Sequence, residues 1–227
     1  MRKLAIFGGT FDPVHWGHLL IAETALSQVS VEQVIWIPNR CPPHKQAAVF
    51  EHRLEMVQRA ISDHPAFASL PGEDSRAMST PTQTKRSANR FEPSYAIQTL
   101  IDLQAVYPNT HWFWIVGVDA FQTLPRWYRR QELATECDWL VAPRLVSVTS
   151  LVDDPGGIIA QTKLICEQVE LKLSDEYINI RWQILQMPWI GVSSSLIRQY
   201  CRDRSSIRYL VPESVRIYIA THNLYSY

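Results

Sequence analysis

The feature that most constrains the fold is the change of hydrophobic pattern across the first 37 residues. Lys3 to Phe7 is a short, mainly apolar run that stops at Gly8-Gly9, which is typical of a buried parallel strand opening into a loop. Between Gly17 and Val29 the apolar residues then recur at helical spacing, at Leu19, Ala22, Leu26 and Val29. Because a second apolar run follows at Val34 to Ile37, the segment predicts a βαβ unit.

Helical and strand-like segments keep alternating along the chain. Helices are predicted over 50–63, where Phe50, Leu54, Val57 and Ile61 share one face, and over 94–107, and strands over 111–117 and 139–141. This alternation predicts an α/β fold with a Rossmann-like, doubly wound and mostly parallel sheet and helices on both faces. Ligands of such sheets bind beyond the carboxyl ends of the strands.

Other segments lack such clear periodicity. Residues 71–93 are rich in turn formers and charge and predict a long loop, and 147–157 has a similar composition. A surface helix is predicted over 161–173, and a closing helix begins at Pro212 with Val215, Ile219 and His222 on one face. We expect one domain over 1–227, with a Rossmann-like core over 1–190 that includes loop 71–93 and a C-terminal helical part over 191–227.

Composition excludes several functional classes. The chain of 227 residues has 22 basic and 22 acidic residues, so no global positive field attracts nucleic acid or an anionic membrane. The four cysteines, Cys41, Cys137, Cys166 and Cys201, are far apart, which favours reduced thiols over a disulfide framework. The apolar run before Gly8 is too short for a signal peptide, so we expect a cytoplasmic protein with no membrane or nucleic-acid partner.

The first candidate site is the segment GGTFDPVHWGH, residues 8–18. Two glycines let the backbone approach a ligand, and a helix N-terminus near Trp16 presents free N–H groups to phosphate. His15 and His18 are three residues apart and can both donate hydrogen bonds to a polyphosphate as charge develops during transfer. A structural role for this pair is the alternative, whereas a zinc site is disfavoured because no cysteine or carboxylate is spaced to complete it. Asp12 is expected to fix the loop by bonding nearby backbone N–H groups.

The second candidate site is GVSSSLIRQY, residues 191–200. Ser193 or Ser194 can cap a helix, and Arg198 lies about one turn into it. A serine run is commonly only a cap. Together with Arg198, however, the hydroxyls and helix N–H groups are suited to the β- and γ-phosphates of a nucleoside triphosphate.

These segments resemble a known family. The HxGH signature with a later SSSxIR element resembles the nucleotidyltransferase α/β-phosphodiesterase superfamily, and within it the chain resembles the bacterial nicotinate mononucleotide adenylyltransferases. The matching segments follow the family's order: GGTFDPVHWGHL at 8–19, IPNRCPPHK at 37–45, PSYAIQTL at 93–100, WIVGVDAF at 114–121, LPRWYRRQEL at 124–133 and VSSSLIRQ at 192–199. The first and last are shared across the superfamily, and the middle four indicate the pyridine nucleotide branch.

The resemblance implies roles for individual residues. His15, His18 and Arg198 would be the catalytic residues, and ATP would be bound by Gly8, Gly9, Thr10, Phe11, Gly117, Asp119, Ser194 and Arg198. The nicotinate mononucleotide would be bound by Lys45, Tyr95 and Trp127. The chain departs from the family in a longer, more polar stretch between PPHK and PSY, and in Ala96, which stands where threonine commonly follows PSY.

The implied reaction joins ATP to nicotinate mononucleotide and releases pyrophosphate. Mg²⁺ is expected to bridge the ATP phosphates and keep several waters, without a dedicated carboxylate cage. Three alternatives stay open: another adenylyl- or cytidylyltransferase of the superfamily, a nucleotide-binding sensor without turnover, and a tRNA-synthetase fragment, which the neutral charge disfavours. The oligomeric state also stays open, a homo-oligomer included.

Overall fold

One parallel sheet organises the protein. The computed structural model describes residues 1–40, 47–69, 95–144, 155–188 and 190–226. Within these ranges six strands pair in the order β3-β2-β1-β4-β5-β6, every pair parallel. The strands are β1 (Arg2–Gly9), β2 (Gln33–Pro38), β3 (Phe67–Ser69), β4 (Thr110–Gly117), β5 (Cys137–Ala142) and β6 (Arg181–Ile184). The predicted α/β fold with a doubly wound sheet is confirmed.

Helices connect the strands and follow the last one. They are α1 (Trp16–Val29), α2 (Phe50–Ile61), α3 (Ala96–Val106), α4 (Val118–Phe121), a 3₁₀ turn (Leu124–Arg126), α5 (Arg130–Glu136), α6 (Pro155–Ser174), α7 (Ser194–Arg202) and α8 (Glu213–Thr221). The predicted helices over 50–63 and 94–107 are confirmed to within two residues at each end.

The core lies on both faces of the sheet because side chains alternate along each strand. On β1, Ala5 and Phe7 join the buried cluster that holds α1, α2 and α8, whereas Leu4 and Ile6 join the cluster that holds α3, α5 and α6. Strands buried on both sides need nearly continuous apolar sequence, as Leu4 to Phe7 has. The two-sided prediction is therefore confirmed.

Four local features differ from the sequence-based expectation. Two edge strands were not predicted: β3 has three residues, and β6 begins with the exposed Arg181, so neither carries a strong apolar pattern. Helix α6 begins at Pro155, inside the segment expected to be a loop, and it buries a face that includes Cys166 and Val169 instead of lying free on the surface. Pro212 precedes the first turn of α8 as its N-cap. The predicted loop 71–93 lies outside the described residues.

The C-terminal helices pack on the same face as α1. Ile197 of α7 and both Val215 and Ile219 of α8 belong to the buried cluster that contains Phe7 and Trp36. The elements after residue 191 therefore share a core with the N-terminal strands, which brings α7 to the end of β1. Within the described ranges, no helix is long and apolar enough to cross a membrane.

Candidate active site

The site lies where the direction of strand addition reverses. Strand β1 is flanked by β2 on one side and by β4 on the other, so their connections leave a crevice beyond the carboxyl ends of β1 and β4. Gly8 and Gly9 end β1, and Gly117 ends β4. A Cβ added at Gly117 would meet no described atom within 4 Å, so this strand end opens onto free space.

A tight turn follows β1. Phe11 has a φ of 49°, in the left-handed region, and its ring is buried with 2% exposure. The turn folds that ring back onto Gly9, where an added Cβ would lie 2.8 Å from the Phe11 ring. Glycine at position 9 is therefore required by close packing.

The two histidines of the HWGH segment cap helix α1. The Nδ1 atom of His15 accepts a hydrogen bond from the Gly17 backbone N–H at 3.2 Å, and the Nδ1 atom of His18 accepts one from the His15 N–H at 3.2 Å. The arrangement resembles a capping box with imidazoles in place of a hydroxyl and a carboxylate. An added Cβ on Gly17 would lie 3.0 Å from the His15 ring, so the glycine makes room for this cap.

This cap determines where each imidazole carries its proton. Because both Nδ1 atoms accept backbone N–H bonds, the proton of each neutral ring lies on Nε2 and remains a donor. Loss of hydration, then the positive charge of Arg144, lowers the pKa of His15 to about 4. Loss of hydration, then His15 and Arg144, also lowers the pKa of His18. Both side chains are therefore neutral hydrogen-bond donors at neutral pH, with ring centroids 3.8 Å apart.

The second predicted element meets the first at the start of α7. Ser193 is the N-cap of α7, its hydroxyl accepting from the Leu196 N–H at 3.2 Å. The Ser194 hydroxyl donates to the Pro13 carbonyl at 2.9 Å, and Arg198 donates to the Asp12 carbonyl at 2.6 Å. The N-terminus of α7 is thus fastened to the loop that precedes α1, and two helix N-termini lie side by side.

Two buried charged residues hold the loops that frame the site. The Asp12 carboxylate, 3% exposed, accepts a hydrogen bond from the Ala48 N–H at 3.1 Å, so its backbone partner lies in a loop 36 residues away and not among the nearby N–H groups that were predicted. Arg53, 1% exposed, donates to the carbonyls of Thr10 at 2.7 Å, Ala48 at 2.9 Å and Arg40 at 3.2 Å. Arg53 therefore ties the loop after β1 to the loop after β2.

An exposed ion pair lies at the ends of β4 and β5. Arg144 donates to the Asp119 carboxylate at 2.8 Å, and both side chains are about half exposed. Such a surface pair contributes little stability, so it can exchange partners when a ligand arrives. Because Arg144 lowers the pKa of His15 and His18, its positive charge acts on the histidine pair.

The structure describes two of the three predicted acceptor residues, Trp127 and Tyr95. Trp127 is half-buried: its ring packs edge-on against Trp139 with centroids 6.0 Å apart, and its indole N–H donates to the Thr123 hydroxyl at 2.9 Å. Tyr95 is 44% exposed and contacts the ring of Tyr128 at a centroid distance of 4.5 Å. Lys45 lies outside the described residues.

Comparison with known proteins identifies the family. A family model described as cytidylyltransferase-like matches residues 6–200. A probable nicotinate-nucleotide adenylyltransferase of Trichormus variabilis is 57% identical over 226 residues, covering 100% of this chain and 98% of the relative. A protein of the same name from Synechococcus sp. (strain JA-2-3B'a(2-13)) is 42% identical, covering 99% and 97%. The chain belongs to the nicotinate-nucleotide adenylyltransferase family.

Solved structures support the same fold at lower identity. The Plasmodium falciparum nicotinic acid mononucleotide adenylyltransferase complexed with NaAD has a TM-score of 0.69 and 16% identity, covering 99% of this chain and 98% of that chain. The same enzyme complexed with APC has a TM-score of 0.66. At this identity the similarity supports the architecture alone, and family membership rests on the close relatives.

The predicted ATP-binding residues of the α1 and α7 segments lie together, whereas the described hydrogen bonds and ring contacts do not join them to the other predicted ligand residues. Direct contacts join the loop before α1 to Ser194 and Arg198, whose partners are Pro13 and Asp12, and His15 and His18 follow that loop at the start of α1. Gly117 and Asp119 lie at the neighbouring strand end, and Tyr95 contacts Tyr128, the chain neighbour of Trp127. Their ligand roles stay predictions.

Three residues of the site escaped the sequence-based prediction. Arg144 and Tyr225, whose hydroxyl reaches Asp12, have no local signal, because their contacts join distant parts of the chain. Arg53 did carry a local sequence signal, because it lies on the same helical face as the apolar residues Met56, Val57 and Ala60. A charged residue within an apolar face indicates a buried side chain with hydrogen-bond partners.

Proposed function

We propose that the protein transfers AMP from ATP to nicotinate mononucleotide and releases pyrophosphate, forming nicotinate adenine dinucleotide in NAD biosynthesis. The observation that carries this proposal is the pair of neutral histidines that cap α1. Their Nε2–H donors lie at the N-terminus of α1, beside the N-terminus of α7. That arrangement suits a polyphosphate, and family membership supplies the nucleotide chemistry.

The ATP side of the reaction follows from the donors. His15 and His18 donate to the α- and β-phosphates, where negative charge shifts as the bond to the leaving group lengthens. The free N–H groups at the start of α7, with Ser194 and Arg198, hold the β- and γ-phosphates that leave as pyrophosphate. Gly8, Gly9, Thr10 and Phe11 form the surrounding loop, and Gly117 and Asp119 hold the adenosine ribose.

The chemistry needs no protein nucleophile. The phosphate of the mononucleotide is already an anion, so one of its oxygens attacks the α-phosphorus of ATP in line with the departing group. A P–O bond forms to the α-phosphorus as the bond from that phosphorus to the α,β-bridging oxygen breaks. The departing pyrophosphate carries away the electron pair of the broken bond. No proton has to move, so catalysis consists of positioning and stabilisation of charge.

The divalent metal enters as part of the substrate, MgATP. Among the described residues, no group of three His, Cys, Asp or Glu side chains is arranged to hold a metal ion. Two carboxylates at the site already have arginine partners, Asp12 with Arg198 and Asp119 with Arg144. Mg²⁺ coordinated by phosphates and water fits these residues and neutralises charge on the leaving group.

The acceptor binds through a second group of residues, Lys45, Tyr95 and Trp127. Lys45 binds the phosphate of the mononucleotide, and Trp127 and Tyr95 bind beside its pyridine ring, as the family resemblance implies. The half-exposed ring of Tyr95 and the partly exposed indole of Trp127 are flat surfaces of the right kind for this contact.

The C-terminal part, 191–227, belongs to the same functional unit, because Ser194 and Arg198 contact the loop that carries Asp12 and Pro13.

The deciding experiment is a pyrophosphate-release assay with MgATP and each candidate acceptor in turn. We expect turnover with nicotinate mononucleotide. Phosphopantetheine serves as the control acceptor, and turnover with it alone would place the protein in another branch of the superfamily. Binding of ATP without pyrophosphate release from any acceptor would identify a sensor, and folded protein inactive with both pyridine mononucleotides would refute the proposal.

A further inference from the structure

The carboxylate of Asp12 is the meeting point of four segments. Its Oδ1 atom accepts hydrogen bonds from the Tyr225 hydroxyl at 2.7 Å and from the Ala48 N–H at 3.1 Å. Its Oδ2 atom lies 3.5 Å from a guanidinium nitrogen of Arg198, which also donates to the Asp12 carbonyl. The carboxylate is therefore bonded by the loop before α2, by α7 and by the end of the chain.

Tyr225 reaches this position through a defined turn at the end of α8. The Leu224 N–H bonds to the Ile219 carbonyl at 3.0 Å and the Asn223 N–H to the Ala220 carbonyl at 3.3 Å, with Asn223 in the left-handed region at φ 48°. These are the two bonds of a Schellman motif, which reverses the chain after a helix. The turn sends Tyr225 back into the core, where it is 8% exposed.

The backbone at Tyr225 also indicates a constrained position. Its φ is 66°, a left-handed conformation that is rare for a bulky residue and persists only where surrounding contacts impose it. Burial, then the adjacent Asp12, raises the pKa of Tyr225, so the phenol keeps its proton and remains a donor to the carboxylate. A packing role alone would not require the hydroxyl to point at the buried Asp12 carboxylate beside Arg198.

We propose that Tyr225 is a positioning residue for adenylyl transfer, acting through Asp12 to hold Arg198 and the loop before α1 in their phosphate-binding arrangement. The proposal rests on the function proposed above, because it assigns Arg198 to the triphosphate. Loss of the hydroxyl removes one of the two described hydrogen bonds to Asp12 Oδ1, so the carboxylate is less restrained and its contact with Arg198 is weakened. Tyr225 thereby restrains Asp12, a residue of the phosphate-binding loop that lies 213 positions earlier in the sequence.

The test compares Tyr225→Phe with Tyr218→Phe. Tyr218 is equally buried at 8%, lies on α8, and bonds its hydroxyl to His52 Nδ1 at 2.9 Å, away from Asp12. We expect Tyr225→Phe to lower kcat/KM for ATP about tenfold, the effect of losing a hydrogen bond to a charged group, while KM for the mononucleotide changes less than roughly twofold. Tyr218→Phe should leave both constants unchanged.

Two further measurements separate positioning from packing. Affinity for the nonhydrolysable analogue α,β-methylene-ATP, measured by calorimetry without any acceptor, should fall in Tyr225→Phe and not in Tyr218→Phe. In an Asp12→Asn background, the effect of Tyr225→Phe should shrink, because both residues act in one chain of contacts.

The outcomes are distinct. Unchanged ATP constants in Tyr225→Phe, or effects that add fully to those of Asp12→Asn, would overturn the positioning role. Equal losses for both substrates with a matching fall in melting temperature would assign the hydroxyl to general stability, which also overturns it. An inactive but folded wild-type protein would instead contradict the proposed function, and the calorimetric comparison would still decide whether Tyr225 shapes an ATP site.

Discussion

Replacing His15 by asparagine separates the capping role of this residue from its charge and donor roles. Asparagine is among the best N-cap residues, and its side-chain oxygen can accept the Gly17 N–H that now bonds to His15 Nδ1. Helix α1 should therefore keep its cap in His15→Asn. The variant loses the titrating imidazole and the Nε2–H that points away from the helix.

The pH dependence of stability gives the expected magnitude. In the unfolded chain His15 has an ordinary pKa of 6.5, whereas in the fold it binds a proton only near pH 4. Below pH 6.5 the unfolded state therefore binds more protons than the folded state, and the free energy of unfolding falls as the pH falls. At about 1.4 kcal/mol per pH unit, the loss attributable to His15 reaches about 3 kcal/mol at pH 4. Above pH 6.5 this contribution is constant.

Urea unfolding followed by tryptophan fluorescence between pH 7.5 and pH 4.5 measures the effect, since the chain has eight tryptophans. The wild-type protein should lose roughly 2 to 3 kcal/mol more than His15→Asn over this range, while the two differ by less than about 1 kcal/mol at pH 7.5. The contributions of other titrating groups are the same in both proteins and cancel in this difference. His18 is the exception: its pKa is lowered in part by His15, so it is lowered less in His15→Asn, which also makes the wild-type protein lose more stability than the variant. If the free energy of unfolding fell equally with pH in the two proteins, His15 would not be a buried imidazole that stays neutral in the fold.

Two other substitutions test the assigned roles in catalysis. His18→Ala removes a donor aimed at developing charge, so kcat should fall by on the order of a hundredfold to a thousandfold, with an unchanged circular dichroism spectrum; near-normal kcat would exclude the phosphate role. Trp127→Ala should raise KM for the mononucleotide roughly tenfold or more and leave KM for ATP nearly unchanged, as expected for loss of a stacking surface for one substrate. Thr123→Val is the control, since it removes the hydroxyl that accepts from the indole N–H and donates to the Ala120 carbonyl while it leaves the Trp127 ring in place. Equal losses for both substrates in Trp127→Ala would show that Trp127 is a core residue packed on Trp139.

Sequence reasoning succeeded where the signal is local. Strand β1, its glycine pair and helix α1 lie within 29 residues, and each carries a pattern that depends on its own neighbours. The cap at Ser193 was one of two predicted positions, and Arg198 lies in the first turns of α7 as expected. Local signals of this kind come from periodicity and capping, which the chain shows without knowledge of the fold.

The remaining contacts join positions that only the folded sheet brings together. Tyr225 and Asp12 are 213 residues apart, and Arg53 and Thr10 are 43 apart, so no spacing pattern connects them. Strand β6 was missed because an edge strand needs little apolar sequence, and Arg181 at its start is exposed. Helix α6 was predicted too short because its first turn contains Gly156 and Gly157, which have low helix propensity, and tertiary packing of its buried face overrides that preference.

The electrostatics of the site explain how a chain with no net charge can bind a triphosphate. Two of the arginines at the site have a carboxylate partner, Arg198 with Asp12 and Arg144 with Asp119, and the two histidines are neutral. In the proposed site, attraction therefore comes from donors at fixed positions: two helix N-termini, two Nε2–H groups and a guanidinium held in one orientation. Such donors favour a ligand whose oxygens match their geometry and offer little to the diffuse charge of nucleic acid. Because this selectivity depends on geometry, the buried contacts of Asp12, Arg53 and Tyr225 are part of the catalytic design even though none of them is placed against the reacting phosphates.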